Sequence, residues 1–288
     1  MSTQQEQGRL WVVATPLGNL GDMTPRAREV LASVDRVAAE DTRHSSRLLH
    51  HYGIETPMVA LHDHNEAQRV EGLIAQMRDG ASIALVSDAG TPLISDPGFR
   101  LVRAAHAAGI AVAPVPGACA AIAALSVAGL PSDRFVFEGF PPARQKARRD
   151  HFAALKDEVR TLIFYESPHR IEASLQDMVW AFGGTRQAVL ARELTKTFET
   201  VLSLPLADLA ARVATDLNQR RGELVVLLAG ASEAATAGDG ELRAMLTTLL
   251  DYLSPRDAAA VAARLTGERR NRLYSLALEV HDGLQRDA

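Results

Sequence analysis

Short polar segments that directly follow apolar runs are where this chain could do chemistry. After Ile83–Val86 comes Ser87-Asp88-Ala89-Gly90-Thr91-Pro92. Here Asp88 offers an acceptor, Thr91 a hydroxyl, and Gly90 a point where a ligand can approach the backbone. A capped loop accounts for the same residues without a ligand. Asp96-Pro97-Gly98 then begins a helix whose first N–H groups would face the same side. Pro16-Leu17-Gly18-Asn19-Leu20-Gly21 is a second such turn, with neither G-x-G-x-x-G spacing nor the lysine of a phosphate loop. Pro116-Gly117-Ala118-Cys119-Ala120-Ala121 is a third, small enough for a flat ring to reach the backbone or for a helix to pack tightly.

Charged residues crowd further run ends: Glu40-Asp41-Thr42-Arg43-His44, Phe164-Tyr165-Glu166-Ser167-Pro168-His169-Arg170, Ala191-Arg192-Glu193-Leu194-Thr195-Lys196 and Arg221-Gly222-Glu223, with Ser167 as cap and Pro168 at the first position of the helix that follows. Singly, each fits a solvated strand end; together they would line one crevice. His62 and His64 flank Asp63, but an extended segment lacks the i, i+4 helical geometry of a zincin, so no metal is expected. Asn65 as N-cap with Glu66 in the first turn explains that stretch instead. The densest basic run, Arg144-Gln145-Lys146-Ala147-Arg148-Arg149, is either a solvated helix face or a phosphate-contacting surface. Arg269-Arg270-Asn271-Arg272 is a second basic cluster.

The elements that must hold these segments follow from the apolar pattern. Leu10–Ala14, Val37–Ala39, Met58–Leu61, Ile83–Val86 and Ile110–Ala113 read as short strands. Helices over the stretches after Thr24-Pro25 and near 43–52, 65–78 and 98–108 alternate with them. Such alternation, with strands apolar throughout, predicts a parallel sheet covered on both faces. A small-residue helix at 118–127 leads to strands at 135–138, 161–165, 188–191, 199–203 and 224–228, with helices near 144–156, 168–182 and 206–218. The hairpin-like pair at 188–203 predicts a mixed sheet. Helices at 241–253, 255–265 and 268–284 form an appendix, with Ser254-Pro255 starting the second.

The expected organisation is a polar tail over 1–8, an α/β domain over 9–115, a second over 116–230, a linker rich in Ala and Gly over 231–240, and a helical region over 241–288. Composition agrees: 47% hydrophobic residues can fill two such cores. A net charge of −4 excludes a generally basic coat for nucleic acid. The lone Cys119 excludes an internal disulfide and suits a reducing cytoplasm. No apolar stretch approaches the roughly 20 residues of a spanning helix, and Met1–Arg9 has no signal-peptide core. A soluble cytoplasmic protein is expected.

Ala14–Gly21, Ala39–His44, Leu61–Glu66, Ala84–Ile94, Gly129–Phe135, Thr161–Ser167 and Ala191–Lys196 resemble, in order, the ribosomal RNA small subunit methyltransferase I family of the tetrapyrrole-methylase superfamily. The resemblance spans about residues 9–230, and the helical tail fits as well. It implies two α/β domains with S-adenosylmethionine in the cleft between them, and a homodimer. The implied reaction is methyl transfer to the ribose 2′-oxygen of a decoding-centre cytidine in the 16S rRNA of the 30S subunit. At Pro16–Gly21 the small-molecule members carry a more glycine-rich loop, a departure that argues against a porphyrinoid acceptor.

By position, the resemblance implies cofactor contacts at Pro16, Asp88, Gly90, Thr91, Ile94, Cys119, Ala120, Tyr165, Leu194 and Glu223. A ribose hydroxyl is a poor nucleophile, so a proton acceptor is expected, with Glu166, Glu193, Lys196 and Asp41 as candidates. Lys196 would need a depressed pKa, and Arg192 and Glu193 act on it with opposite signs; a lysine in an ion pair remains open. Arg144, Lys146, Arg148 and Arg149 are the expected RNA contacts. Two rival readings stay open: a tetrapyrrole methylase of the same fold, and a non-catalytic ribosome-assembly factor.

Overall fold

The computed structural model describes residues 8–62, 65–231 and 239–286. The expected tail therefore lies outside the described residues except Gly8, as do Asp63, His64 and most of the expected linker.

The first sheet has strands β1 (Arg9–Val13), β2 (Arg36–Ala39), β3 (Met58–Ala60), β4 (Ile83–Val86) and β5 (Ala111–Val115) in the order β3-β2-β4-β1-β5, and every pairing is parallel. Its centre is apolar at every position because both faces are covered. On one face Val13, Val37, Ala84 and Val86 pack under α1 (Pro25–Ser33) and α2 (Thr42–His51). On the other, Leu10, Ala38, Ile83 and Leu85 pack under α3 (Glu66–Arg78) and α4 (Phe99–Ala107). The Thr24 hydroxyl accepts from Ala27 N and Pro25 opens the first turn, so α1 starts where its sequence dictates.

The second sheet contains β6 (Phe135–Gly139), β7 (Thr161–Glu166), β8 (Gln187–Arg192), β9 (Thr200–Pro205) and β10 (Leu224–Leu228) in the order β6-β7-β10-β8-β9. It is mixed: β6 and β7 are parallel, while the remaining pairs are antiparallel. α6 (Gln145–Ala154), α7 (Ile171–Phe182) and α8 (Leu206–Thr215) cover one face. The short α5 (Ala120–Ala128) covers the other through Ala121, Ala124, Leu125 and Ala128, and Leu17 from the first lobe joins that core. Gly129 takes the left-handed conformation that ends α5.

Residues up to Ala229 form one compact unit and those from Gly230 another. In the latter, α9 (Asp239–Leu250), α10 (Pro255–Thr266) and α11 (Arg270–Arg286) close on Leu242, Leu246, Ala258, Ala262, Leu273 and Ala277. α9 begins at Asp239, so the expected linker ends earlier than Gly240. Among the described residues no helix is long and apolar enough to cross a membrane.

Two expected caps are replaced. Asn65 makes no cap bond; its side chain turns back, accepting from His62 N and donating to the Ala60 carbonyl, which fixes the exit from β3. Ser167-Pro168 does not open α7, which starts three residues later; Ser167 O instead accepts from the N–H groups of Arg170 and Ile171 in a preceding turn.

Candidate functional site

Three loops at the carboxyl ends of β1, β4 and β5 are tied into one surface. Thr15 and Gly90 exchange both backbone hydrogen bonds, at 2.8 and 3.1 Å, and the Thr15 hydroxyl donates to Ser87 O. Gly90 sits at φ +80°, and a Cβ there would come within 3.1 Å of Leu17. The Thr91 hydroxyl donates to Ala118 O at 2.9 Å, linking the β4 and β5 loops. Beyond it, Leu93 and Ser95 hold left-handed φ values of 73° and 72°, the kind of strain that a surrounding structure retains at functional sites.

The second lobe faces this surface with Tyr165 and the loops after β8 and before β10. The Tyr165 hydroxyl accepts from Ala121 N at 3.1 Å, and its ring meets Phe137 and Phe140 edge-on. Burial, with the Cys119 sulfur and the Asp96 carboxylate beside it, pushes the phenol pKa up, so it stays protonated. Between the lobes lies a cavity of about 350 Å³, within the range of small-molecule sites. Gly90, Thr91, Ile94, Cys119, Ala120, Tyr165, Leu194 and Glu223 line it. Pro16 and Asp88, expected with them, are absent from its walls. The Asp88 carboxylate accepts from Asp41 N at 3.1 Å and so is spent within the first lobe.

The proton-acceptor candidates are differently placed. Glu166 lines the cavity but is 2% exposed, accepting from Ser167 N and the Ser174 hydroxyl and pairing with Arg170 at 2.8 Å. Asp41 caps α2 through Arg43 N and His44 N, and the Arg43 N–H holds its pKa below the usual value despite some burial. Glu193, at φ +52°, receives Lys196 Nζ and Glu223 N on one oxygen, at 3.0 and 2.9 Å. Burial would raise its pKa, but these donors outweigh it and the pKa is lowered.

Lys196 also reaches Glu223 at 3.2 Å. Burial works to lower its pKa, yet its two carboxylate partners win and raise it. Lys196 is thus the ion-paired lysine and not a free base. Its stem lies over Gly18, where a Cβ would sit 2.4 Å from Cε.

The basic run divides. Arg144 and Lys146 are exposed. Arg148 is 4% exposed and buried against Asp177, at 2.9 Å through Nε and 2.6 Å through Nη2. It is withdrawn from the expected RNA contacts because its charge is consumed inside the protein. Arg149 is half-exposed, shares Asp177 at 2.7 Å and lies 5.2 Å from the exposed Trp180 ring.

Ala191 and Gly222, from the strand-end segments expected to line one crevice, are on the cavity wall, as are Asp96 and Phe140, which were not among the expected contacts. For Asp96 the signal was present, but the segment reads as a helix start with open N–H groups. The α4 N-terminus is in fact closed, because Glu66 Oε1, from the 5%-exposed Glu66, accepts from Arg100 N and Leu101 N. Gly222, at φ +78°, leaves the room that the Glu193 carboxylate occupies.

Residues 9–210 match the family model of tetrapyrrole (corrin/porphyrin) methylases, and residues 236–280 that of the RsmI C-terminal HTH domain. The chain is 59% identical over 274 residues to the ribosomal RNA small subunit methyltransferase I of Pseudomonas aeruginosa, covering 94% of this chain and 97% of that one. Its identity to the protein of that name from Escherichia coli O157:H7 is 53% over 278 residues, covering 96% and 97%.

Solved structures with the same fold include uroporphyrin-III-C-methyltransferase from Thermus thermophilus, with a TM-score of 0.55 and 21% identity over 77% of this chain and 94% of that one. Diphthine synthase superposes with a TM-score of 0.57 at 17% identity, covering 76% and 89%. Interlobe cavity, sheet orders and near-full-length identity converge: the chain is a methyltransferase and belongs to the ribosomal RNA small subunit methyltransferase I family, within the tetrapyrrole methylases.

Proposed function

We propose that this chain transfers a methyl group from S-adenosylmethionine to the ribose 2′-oxygen of a cytidine in 16S ribosomal RNA. The observation that carries this reading is the interlobe cavity, in a chain 59% identical to a ribosomal RNA methyltransferase. The cavity suits that donor. Ala89, Gly90, Ala120, Ala191 and Gly222 leave backbone accessible to a flat ring, Ile94, Leu194 and Val225 supply apolar walls, and Thr91 and Glu223 add polar groups. When bound, S-adenosylmethionine supplies an electrophilic methyl on a positively charged sulfur.

The chain's own work is then to position and to exclude water. Tyr165 holds the α5 N-terminus at the cavity wall through Ala121 N, and the Thr15–Gly90 and Thr91–Ala118 bonds fix the opposite wall. Lys196 bonds Glu193 and Glu223 together and covers Gly18, closing the edge between the N-terminal turn and the second lobe.

The test is incubation with labelled S-adenosylmethionine and unmodified 30S subunits, naked 16S rRNA or precorrin-type acceptors. The expected result is label on RNA in a ribose-methylated, nuclease-resistant dinucleotide; its absence rejects the reading, and label on the precorrin moves the substrate to the tetrapyrroles.

The RNA surface in this reading comprises Arg144, Lys146 and Arg149, on and before α6, without Arg148. Replacing all three by alanine weakens RNA binding and flattens its salt dependence by about one logarithmic slope unit for every phosphate no longer neutralised. Donor affinity by calorimetry stays unchanged. An unaltered salt slope transfers the role to Arg269–Arg272. Exposed Ile122 and Val127 on α5 and Val201 on the edge strand β9 support pairing of two copies, which light scattering checks. A cytoplasmic location follows from the substrate and suits the free Cys119 thiol. The domain division at 115/116 belongs to the same reading.

A further inference from the structure

We propose that Asp96 is the proton acceptor for the attacking hydroxyl, the role that Glu166, Glu193, Lys196 and Asp41 are placed not to fill. The proposal rests on the methyl-transfer reading above and adds a residue to it. Asp96 lines the cavity between the β4 loop and the second lobe. Two other carboxylates that reach this wall are committed: Glu166 to Arg170, Ser167 N and Ser174, and Glu223 to Lys196. The neighbours that act on Asp96 are the Ser87 hydroxyl, which favours its ionised form while donating to the Ala89 and Gly90 carbonyls, and Asp88, which carries the same charge.

The backbone on either side of Asp96 is sterically constrained. Ser95 before it is left-handed, and Gly98 after it, at φ +121°, packs so closely on Leu85 that a Cβ would meet that side chain at 2.6 Å. Gly139 lets β6 approach the same loop, since a Cβ there would be 3.3 Å from the Ser95 hydroxyl. Across the cavity stand Tyr165, whose phenol is protonated, and Cys119. Among the described residues no cation from either lobe acts on Asp96. Burial, reinforced by Asp88 and opposed by Ser87, raises its pKa to about 6. A base near the working pH is available as the anion and still takes a proton readily.

In the step itself the hydroxyl oxygen uses a lone pair to form the O–CH3 bond. The C–S bond breaks with its electron pair remaining on the now neutral sulfur, and the hydroxyl proton passes to the Asp96 carboxylate and from there to water.

The experiment compares wild type, Asp96→Asn and Asp96→Glu in the full chain. Wild-type transfer to 30S subunits, measured first, tests the functional reading by itself. With that in hand, Asp96→Asn lowers the single-turnover rate about 100-fold or more while calorimetric donor affinity is retained, and Asp96→Glu restores part of the rate. The wild-type rate falls on acidification through pH about 6, and the Asn variant loses this limb.

A readout without turnover accompanies it. Because the folded pKa lies above the unfolded value of 3.8, ionising Asp96 costs the wild type stability. The thermal midpoint of Asp96→Asn therefore gains on that of wild type as pH rises from about 4 to about 6 and holds its lead above. Retention of the rate or of the acid limb in Asp96→Asn overturns the proposal. So does a loss of donor affinity that matches the loss of rate, or a midpoint difference that ignores pH.

Discussion

Replacing Asp177 by alanine destabilises the main unit by about 3–5 kcal/mol, the range for leaving one member of a buried ion pair uncompensated. Asp177 is fully buried and accepts from Gln145 Nε2, from Arg148 through Nε and Nη2, and from Arg149 Nε. Its removal leaves the Arg148 guanidinium in the core between α6 and α7 with Ala143 O as its remaining hydrogen-bond partner among the described residues. Urea unfolding reads the loss as a lower midpoint at constant slope.

The same site has a pH signature. Burial alone would raise the Asp177 pKa, but the bonds from Arg149, Arg148 and Gln145 outweigh it and lower the pKa. Its contribution is therefore complete above the unfolded value of about 4 and is lost as pH falls through the depressed one. Wild type and variant should converge in acid. Equal stability of the two at pH 7 would mean that the pair contributes nothing net.

Ala120→Phe removes donor binding with little effect on the fold. Ala120 is the first residue of α5, at the border between the cavity and the core beneath the helix, and its place on the cavity wall gives an aromatic ring the space between the lobes to enter. A loss of at least about 100-fold in affinity, equivalent to about 2.7 kcal/mol, is expected by calorimetry. The thermal midpoint should stay close to wild type. Ser126→Phe on the same helix, at an exposed side chain, is the control and keeps wild-type affinity. Full donor affinity in Ala120→Phe would place the ligand elsewhere.

How much could be read beforehand depended on how local each determinant is. β4 and β10 were legible because they are buried at every position, and a continuous apolar run has few other homes. Thr24-Pro25 and Ser254-Pro255 announced their helices because cap and first turn are adjacent. Asn65 and Ser167 misled for the same reason: each has cap chemistry, but its partners lie in the preceding strand or turn. Arg148 looked like its exposed neighbours because the residue that buries its charge is 29 positions away. Asp96 could be read only as the start of a helix, because what sets it apart on the cavity wall is what the surrounding carboxylates are bonded to.

Lys196 lying over Gly18 has a consequence for how the N-terminal turn is joined to the second lobe. The seam there is an aliphatic stem held by two ion pairs, so salt that screens those pairs loosens this seam before it touches the packing of either sheet.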